Sequence, residues 1–260
     1  MKERPILRKK DLFLFDLDGV FYKGKEVREM IGGARAIKAL RASGKRLFVL
    51  TNDSTDSVET IHKRLVEFGI RVEMKEILTS SLLTAEYVGK KYGRVPYFLI
   101  GEGGLEFEMN RYGHRRTEGA DARLVVVGLD RRLTYDKLDQ AARLVRNGAP
   151  IVATHSSRLY MYNDGPAIAT GPIVRALEYA TQKKATLIGK PSPLMFRIAL
   201  ERASCVGRQA VMIGDQVDTD LEGASRARID SVLVTSGVDK DAHGIAIATI
   251  ANVDDIVGLL

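Results

Sequence analysis

Tryptophan is absent, cysteine occurs once and proline seven times in a chain of 260 residues. The lone Cys205 excludes an internal disulfide and suits a reducing compartment. It reads as a small core residue beside a helix end rather than as a nucleophile. No apolar run approaches the roughly eighteen residues of a membrane span, and the opening Met-Lys-Glu-Arg-Pro lacks the apolar stretch of a signal peptide. The expectation is a cytoplasmic protein with no membrane partner. Long Pro, Ser or Gln tracts are also missing, and with 45% hydrophobic and 28% charged residues the composition is that of an ordinary folded chain.

The net charge of +7 is compatible with nucleic-acid binding or with attraction of small anions. The basic residues are spread out, however, and the densest runs, Arg8-Lys9-Lys10 and His114-Arg115-Arg116, are short and lack interleaved aromatics. Both read as solvated faces, and no nucleic-acid partner is expected.

Strand-like and helix-like patterns alternate from Asp11 onward, which predicts an α/β fold of parallel strands joined by helical crossovers. Strands are expected at 12–16, 46–50, 97–100, 124–127, 151–154, 186–188, 210–213 and 231–234. Helices are expected at 34–43, 58–68, 79–92, 105–112, 135–147, 172–181 and 193–203. Gly44 and Gly69 stand where helix ends need them, and Ser54, Thr55 or Ser57 caps the helix beginning near Val58.

Four strings at predicted strand ends carry chemistry. In Phe13-Leu-Phe-Asp-Leu-Asp-Gly-Val20 an apolar strand delivers Asp16 and Asp18 two residues apart, on one side if strand geometry persists. Close carboxylates repel unless a cation or a proton intervenes, so a metal site or an acid/base pair is the simplest explanation, although Asp-Gly is also an ordinary turn. Thr51-Asn52 follows a strand and offers a hydroxyl, an amide and backbone N–H groups to an anion, or else caps a helix. Gly189-Lys190-Pro191 holds a lysine in a turn. Ile213-Gly-Asp-Gln-Val-Asp-Thr-Asp220 again brings carboxylates to a strand end, where ligands bind in open parallel sheets.

These four strings, in this order, resemble the motifs of the haloacid dehalogenase (HAD) superfamily of phosphohydrolases, across the whole core. The resemblance implies an HAD-like Rossmannoid core with a parallel sheet. It makes Asp16 the nucleophile, Asp18 the general acid/base, Thr51 and Asn52 phosphate-side ligands, and Lys190 the charge balance. Mg²⁺ would be held by Asp16, the backbone carbonyl of Asp18, and Asp215, with Asp220 orienting that site from outside. The domain-sized stretch between Thr51 and Lys190 resembles the α/β cap of the NagD and p-nitrophenylphosphatase branch, supported by Thr51–Thr55, Leu78–Val88, Val126–Leu138 and Ile188–Pro193. The implied organisation is a core of residues 1–78 and 186–260 with an inserted smaller α/β cap at 79–185.

Two departures stand out. Thr51-Asn52-Asp53 replaces the branch's usual Thr-Asn-Asn, and His155-Ser156-Ser157 stands where relatives commonly carry an Asn and an Asp after an Ala-Thr pair. At a cap strand end facing the core, His155 becomes a candidate substrate-binding residue. Gly101-Glu-Gly-Gly104 lacks P-loop spacing and reads as a turn. The resemblance implies hydrolysis of a small phosphate monoester such as a sugar phosphate, phosphoglycolate, a nucleoside monophosphate or p-nitrophenyl phosphate. A phosphotransferase or mutase on the same nucleophile, or a phosphate-binding protein without turnover, are the rival readings. A homodimer is the family-level expectation.

Overall fold

The computed structural model describes residues 6–24, 29–162 and 165–260. Its larger sheet is parallel throughout and has six strands, in the spatial order Ala248–Ile250, Asp230–Val234, Ala210–Gly214, Leu12–Phe15, Arg46–Thr51 and Ile77–Thr79. The central strands Leu12–Phe15 and Ala210–Gly214 are buried along their full length. That burial is why their sequences run continuously apolar instead of alternating.

The chain leaves this sheet at Thr79, whose Oγ1 caps the following helix Ser80–Tyr92 by accepting the Leu82 N–H at 3.0 Å. It then builds a second parallel sheet, ordered Thr186–Leu187, Ile151–Ala153, Leu124–Val127, Pro96–Ile100 and Arg115–Arg116. Helices Gly103–Arg111, Tyr135–Arg146 and Thr170–Thr181 accompany it, and an antiparallel hairpin pairs Leu159–Tyr162 with Gly165–Ile168. The chain re-enters the larger sheet through the helix Pro193–Arg202, capped by Ser192 with Pro193 in its first turn.

The two layers meet closely. The Gly104 N–H donates to the Thr55 carbonyl at 3.1 Å, and a Cβ on Gly104 would stand 2.5 Å from that oxygen. Ser54 Oγ accepts the Leu129 N–H at 3.3 Å, and Arg111 pairs with Glu59 at 2.8 Å. Among the three candidate caps for the helix Val58–Glu67, Ser57 is the one used, accepting from Thr60 N–H.

The expected strands and helices are present, with ends shifted by one or two residues. Among the described residues, the features not anticipated include the edge strands Ile77–Thr79, Arg115–Arg116 and Ala248–Ile250, the antiparallel pair Tyr22–Lys23 with Glu29–Met30, and the antiparallel pair Leu159–Tyr162 with Gly165–Ile168. The three edge strands have two or three residues each, too few for a periodicity to register. Ile77–Thr79 also runs into its helix without a turn residue between them. In the basic runs Arg8, Lys9 and Arg115 are exposed as expected, but two members differ. His114 is buried with Nε2 at 3.1 Å from the Ala85 carbonyl, and Lys10 is buried against Asp230 at 2.5 Å, so neither lies on a solvated face. Cys205 packs half-buried against the core, and burial raises its thiol pKa. Among the described residues no helix is long and apolar enough to cross a membrane.

Candidate active site

Three neighbouring strands end at one point on the carboxyl edge of the larger sheet. Leu12–Phe15 leads into Asp16, Arg46–Thr51 ends on Thr51, and Ala210–Gly214 leads into Asp215. All three functional residues are buried, as are Lys190 and Asp220. The Lys190 ammonium lies 2.6 Å from Asp16 Oδ1 and 2.7 Å from Asp220 Oδ1, and donates to the Leu50 carbonyl at 3.0 Å. Asp16 Oδ1 also accepts the Leu17 N–H at 2.6 Å. One oxygen of Asp16 is thus held from two sides.

Asp215 is held by the loop that follows the neighbouring strand Asp230–Val234. The Val238 N–H donates to Asp215 Oδ2 at 2.8 Å, and the Asp239 N–H donates to the Asp215 carbonyl at 3.0 Å. A Cβ on Gly237 would sit 1.9 Å from Asp215 Oδ2, and one on Gly19 would sit 2.2 Å from it. Two backbones therefore close on one carboxylate at positions where any Cβ would push that carboxylate aside. Ser236 Oγ donates to the Gly19 carbonyl at 2.8 Å, joining those two loops.

The electrostatics of this cluster are unbalanced. Asp16, Asp215 and Asp220 each bring a carboxylate oxygen within 4.8 Å of the others, with a single lysine among them. Burial, reinforced by the charge of Asp220 and opposed by Lys190, raises Asp16 from 3.8 to about 7. Burial, with Asp16 and Asp220 beside it, pushes Asp215 well above its ordinary value. Burial alone would lower the Lys190 pKa, but the two carboxylates override this and hold it above its usual range. Asp215 Oδ1 is fully buried without a hydrogen-bond partner. An orphaned buried oxygen among carboxylates lacking positive charge is the donor set a hard divalent cation fits.

A cavity of about 690 Å³ opens over the cluster. Its floor includes Asp16, Asp18, Thr51 and Asp215, and its roof comes from loops that follow two strands of the smaller sheet, through Leu129, His155 and Ser157, and from the hairpin strand Leu159–Tyr162. Asp18 is partly exposed to this space. Its carboxylate is outside the three-carboxylate group, and the sequence assignment required only its carbonyl as a ligand.

The structure brings every expected site residue to this cavity or its floor, but it changes what two of them can offer. The Asn52 carboxamide is spent on Lys190, accepting its N–H and donating to its C=O, each at 2.9 Å. His155 is buried with both ring nitrogens bonded to protein, 3.2 Å from the Ser157 N–H and 3.0 Å from Thr170 Oγ1. Burial lowers it to about 4, so it is neutral at pH 7. Both His155 ring nitrogens are engaged, and both Asn52 Nδ2 hydrogens are used, on the Lys190 carbonyl and on Ser157 Oγ at 3.2 Å. Ser157, singled out in the sequence with His155 and Ser156, does line the cavity, whereas sequence reasoning missed Gly19, Ser236 and Gly237. A small-residue turn after the apolar run 231–234 was the available signal for the last two.

Residues 13–115 match the family model described as haloacid dehalogenase-like hydrolase, and residues 187–257 match one described as HAD-hydrolase-like. The chain is 34% identical over 232 residues to the sugar-phosphatase AraL of Bacillus subtilis, covering 88% of this chain and 85% of that protein. It is 32% identical over 226 residues to the acid sugar phosphatase of Staphylococcus saprophyticus, covering 87% and 86%. In structure it resembles the p-nitrophenyl phosphatase of Archaeoglobus fulgidus, with a TM-score of 0.89 at 28% identity over 96% of this chain and 99% of that one. The 4-nitrophenylphosphatase of Thermotoga maritima gives 0.88 at 30% identity over 97% and 98%. The chain therefore belongs to the haloacid dehalogenase-like hydrolases, in their NagD/p-nitrophenylphosphatase branch, and is a phosphatase.

Proposed function

We propose that the protein hydrolyses the monoester of a small phosphorylated metabolite through an aspartyl-phosphate on Asp16. The observation that carries this reading is Asp16 itself: a buried carboxylate at a strand end, ion-paired to Lys190 at 2.6 Å and facing a cavity large enough for a small ester. A carboxylate oxygen of Asp16 attacks phosphorus while Asp18 gives a proton to the departing ester oxygen. Asp18 then takes a proton from the water that attacks the aspartyl-phosphate, releasing phosphate and restoring Asp16. Thr51 sits beside the path of the phosphoryl group, and Lys190 offsets the charge that builds on it and on Asp16.

Mg²⁺ is the ion we assign to Asp16, Asp215 and the Asp18 carbonyl, with Asp220 outside this set, tied to Lys190 at 2.7 Å and to the Gln216 N–H at 3.2 Å. When bound, it supplies charge neutralisation at the phosphoryl oxygens. We divide the chain into a catalytic core, 1–78 and 186–260, and a cap, 79–185, that roofs the cavity. The names of the sugar-phosphatase relatives make a sugar phosphate the first substrate to try, with phosphoglycolate, nucleoside monophosphates and p-nitrophenyl phosphate beside it. We place the protein in the cytoplasm, in keeping with its single cysteine, and expect a homodimer from the family resemblance.

Phosphate release from these esters, with and without Mg²⁺, tests the reading when the intact protein is compared with Asp16→Asn. Metal-dependent release that disappears in the variant is the expected result. Release that persists in Asp16→Asn would remove Asp16 as nucleophile.

A further inference from the structure

The roof of the cavity is organised by a hydrogen-bond chain that ends at Lys190. Ser157 N–H donates to His155 Nδ1 at 3.2 Å, so the ring proton sits on Nε2 and is donated to Thr170 Oγ1 at 3.0 Å. The Ser157 carbonyl accepts the Gly171 N–H at 2.9 Å. A Cβ on Gly171 would stand 2.4 Å from the Ser156 carbonyl oxygen and 2.6 Å from that of Ser157, so the loop lies directly on the start of the helix Thr170–Thr181. His155 and Gly171 together dictate where Ser157 goes.

Ser157 is thereby brought to the cavity, where its Oγ accepts from Asn52 Nδ2 at 3.2 Å. The direction of that bond follows from Lys190, whose backbone N–H and C=O admit only one orientation of the Asn52 amide. With a lone pair of Oγ committed to Asn52, the hydroxyl proton must point elsewhere, and among the described residues no protein acceptor takes it. Ser157 is half-buried and lines the cavity, so the remaining partner is whatever occupies that space.

We propose that Ser157 is the residue of the roof that reads the substrate, donating its hydroxyl proton to an oxygen of the leaving group, and that His155 is a positioning residue that holds Ser157 in place. This assignment rests on the phosphatase reading. It selects leaving groups with a hydroxyl or ring oxygen near the ester, as in polyols and sugars, over an aryl group that has none there. It also gives the His155-Ser156-Ser157 departure a use: the histidine shapes the loop and the serine two residues later meets the ligand.

The test compares kcat and KM for the intact protein, Ser157→Ala, His155→Ala and His155→Asn. The esters are p-nitrophenyl phosphate and the fastest of ribose 5-phosphate, glucose 6-phosphate and glycerol 3-phosphate. In Ser157→Ala the kcat/KM ratio of the hydroxylated ester to the aryl ester should fall about three- to tenfold, mostly through KM, the loss expected for one hydrogen bond. His155→Ala should move the ratio the same way. His155→Asn, whose Oδ1 can still accept the Ser157 N–H, should recover part of it.

A ratio that does not move in Ser157→Ala, including equal losses on both esters, overturns the assignment. A merely structural role would lower the melting temperature without changing the ratio. Hydrolysis of p-nitrophenyl phosphate alone by the intact protein would also overturn the assignment while leaving the phosphatase reading standing. Hydrolysis of none of these four esters, nor of phosphoglycolate or a nucleoside monophosphate, would overturn both.

Discussion

The Asn52 carboxamide brackets the backbone of Lys190, its Oδ1 accepting the lysine N–H and its Nδ2 donating to the lysine C=O, each at 2.9 Å. Two residues 138 positions apart in sequence are thereby locked together on the floor of the cavity. The lysine whose backbone is so fixed carries its ammonium to Asp16 and Asp220.

Removing the bracket should disturb catalysis more than folding. In Asn52→Ala the Lys190 backbone loses both partners, and kcat should drop about ten- to a hundredfold because the ammonium is no longer held to sub-ångström precision. The buried N–H and C=O left unpaired should lower stability by about 1–3 kcal/mol. Steady-state kinetics alongside urea denaturation check both. A kcat close to that of the intact protein would show that Lys190 does not need Asn52.

Lys190→Met and Asp16→Asn should have opposite effects on stability at pH 7 in the presence of EDTA. The first leaves three buried carboxylates without a protein cation and should cost on the order of 3–5 kcal/mol. The second replaces a carboxylate whose ionised form burial and Asp220 disfavour, and keeps the Lys190–Asp220 pair, so it should be at least as stable as the intact protein. Mg²⁺ should raise the melting temperature of the intact protein more than that of Asp16→Asn. A reversed stability order would refute this account of the charge balance.

Gly237→Ala tests how closely the backbone must approach Asp215. Its new Cβ would start 1.9 Å from Asp215 Oδ2, so the carboxylate has to turn. Apparent Mg²⁺ affinity, read by thermal shift, should weaken by about tenfold or more, as when an outer partner of a metal ligand is disturbed. Gly44→Ala is the control. Gly44 has φ of +66° but open space around the position of its Cβ, so the substitution strains the turn and leaves metal affinity alone. Equal metal affinities in the two variants would contradict the prediction.

The buried His155 should leave a mark on acid stability. Its pKa is lowered from 6.5 to about 4, chiefly by burial, so the unfolded chain binds the proton more readily than the folded one. The sign follows: the contribution is fully present above pH 6.5 and is lost as the pH falls toward 4. The loss should amount to on the order of 3 kcal/mol. Denaturation series between pH 7 and pH 4 should show a steeper decline for the intact protein than for His155→Gln. Parallel curves would mean that the histidine is not kept neutral by the fold.

Much of the site was legible because its chemistry sits at strand ends. An apolar run that stops at a carboxylate, as at Asp16 and again at Asp215, or at a hydroxyl, as at Thr51, announces both the strand and the functional edge. Lys190 was legible from its Gly-Lys-Pro turn. The short edge strands were not. In Arg115–Arg116 and Ala248–Ile250 the pairing is set by an adjacent strand of the sheet, Pro96–Ile100 and Asp230–Val234, rather than by any pattern within the two or three residues themselves.

The sequence by itself determined the order of strands and helices, the α/β class, the four motifs and the family, because each depends on residue type and spacing over a short stretch. Only the tertiary structure decided that Asn52 serves Lys190, that His155 faces Thr170 and the Ser157 backbone, that Ser157 meets the cavity, and that Gly19 and Gly237 close on Asp215. Most of these contacts join segments distant in sequence, Asn52 and Lys190 by 138 positions, and even the bond from the Ser157 N–H to His155, two residues away, depends on where the loop is packed. A side chain with several possible partners takes the one that packing brings within 3 Å, and no spacing along the chain encodes that choice.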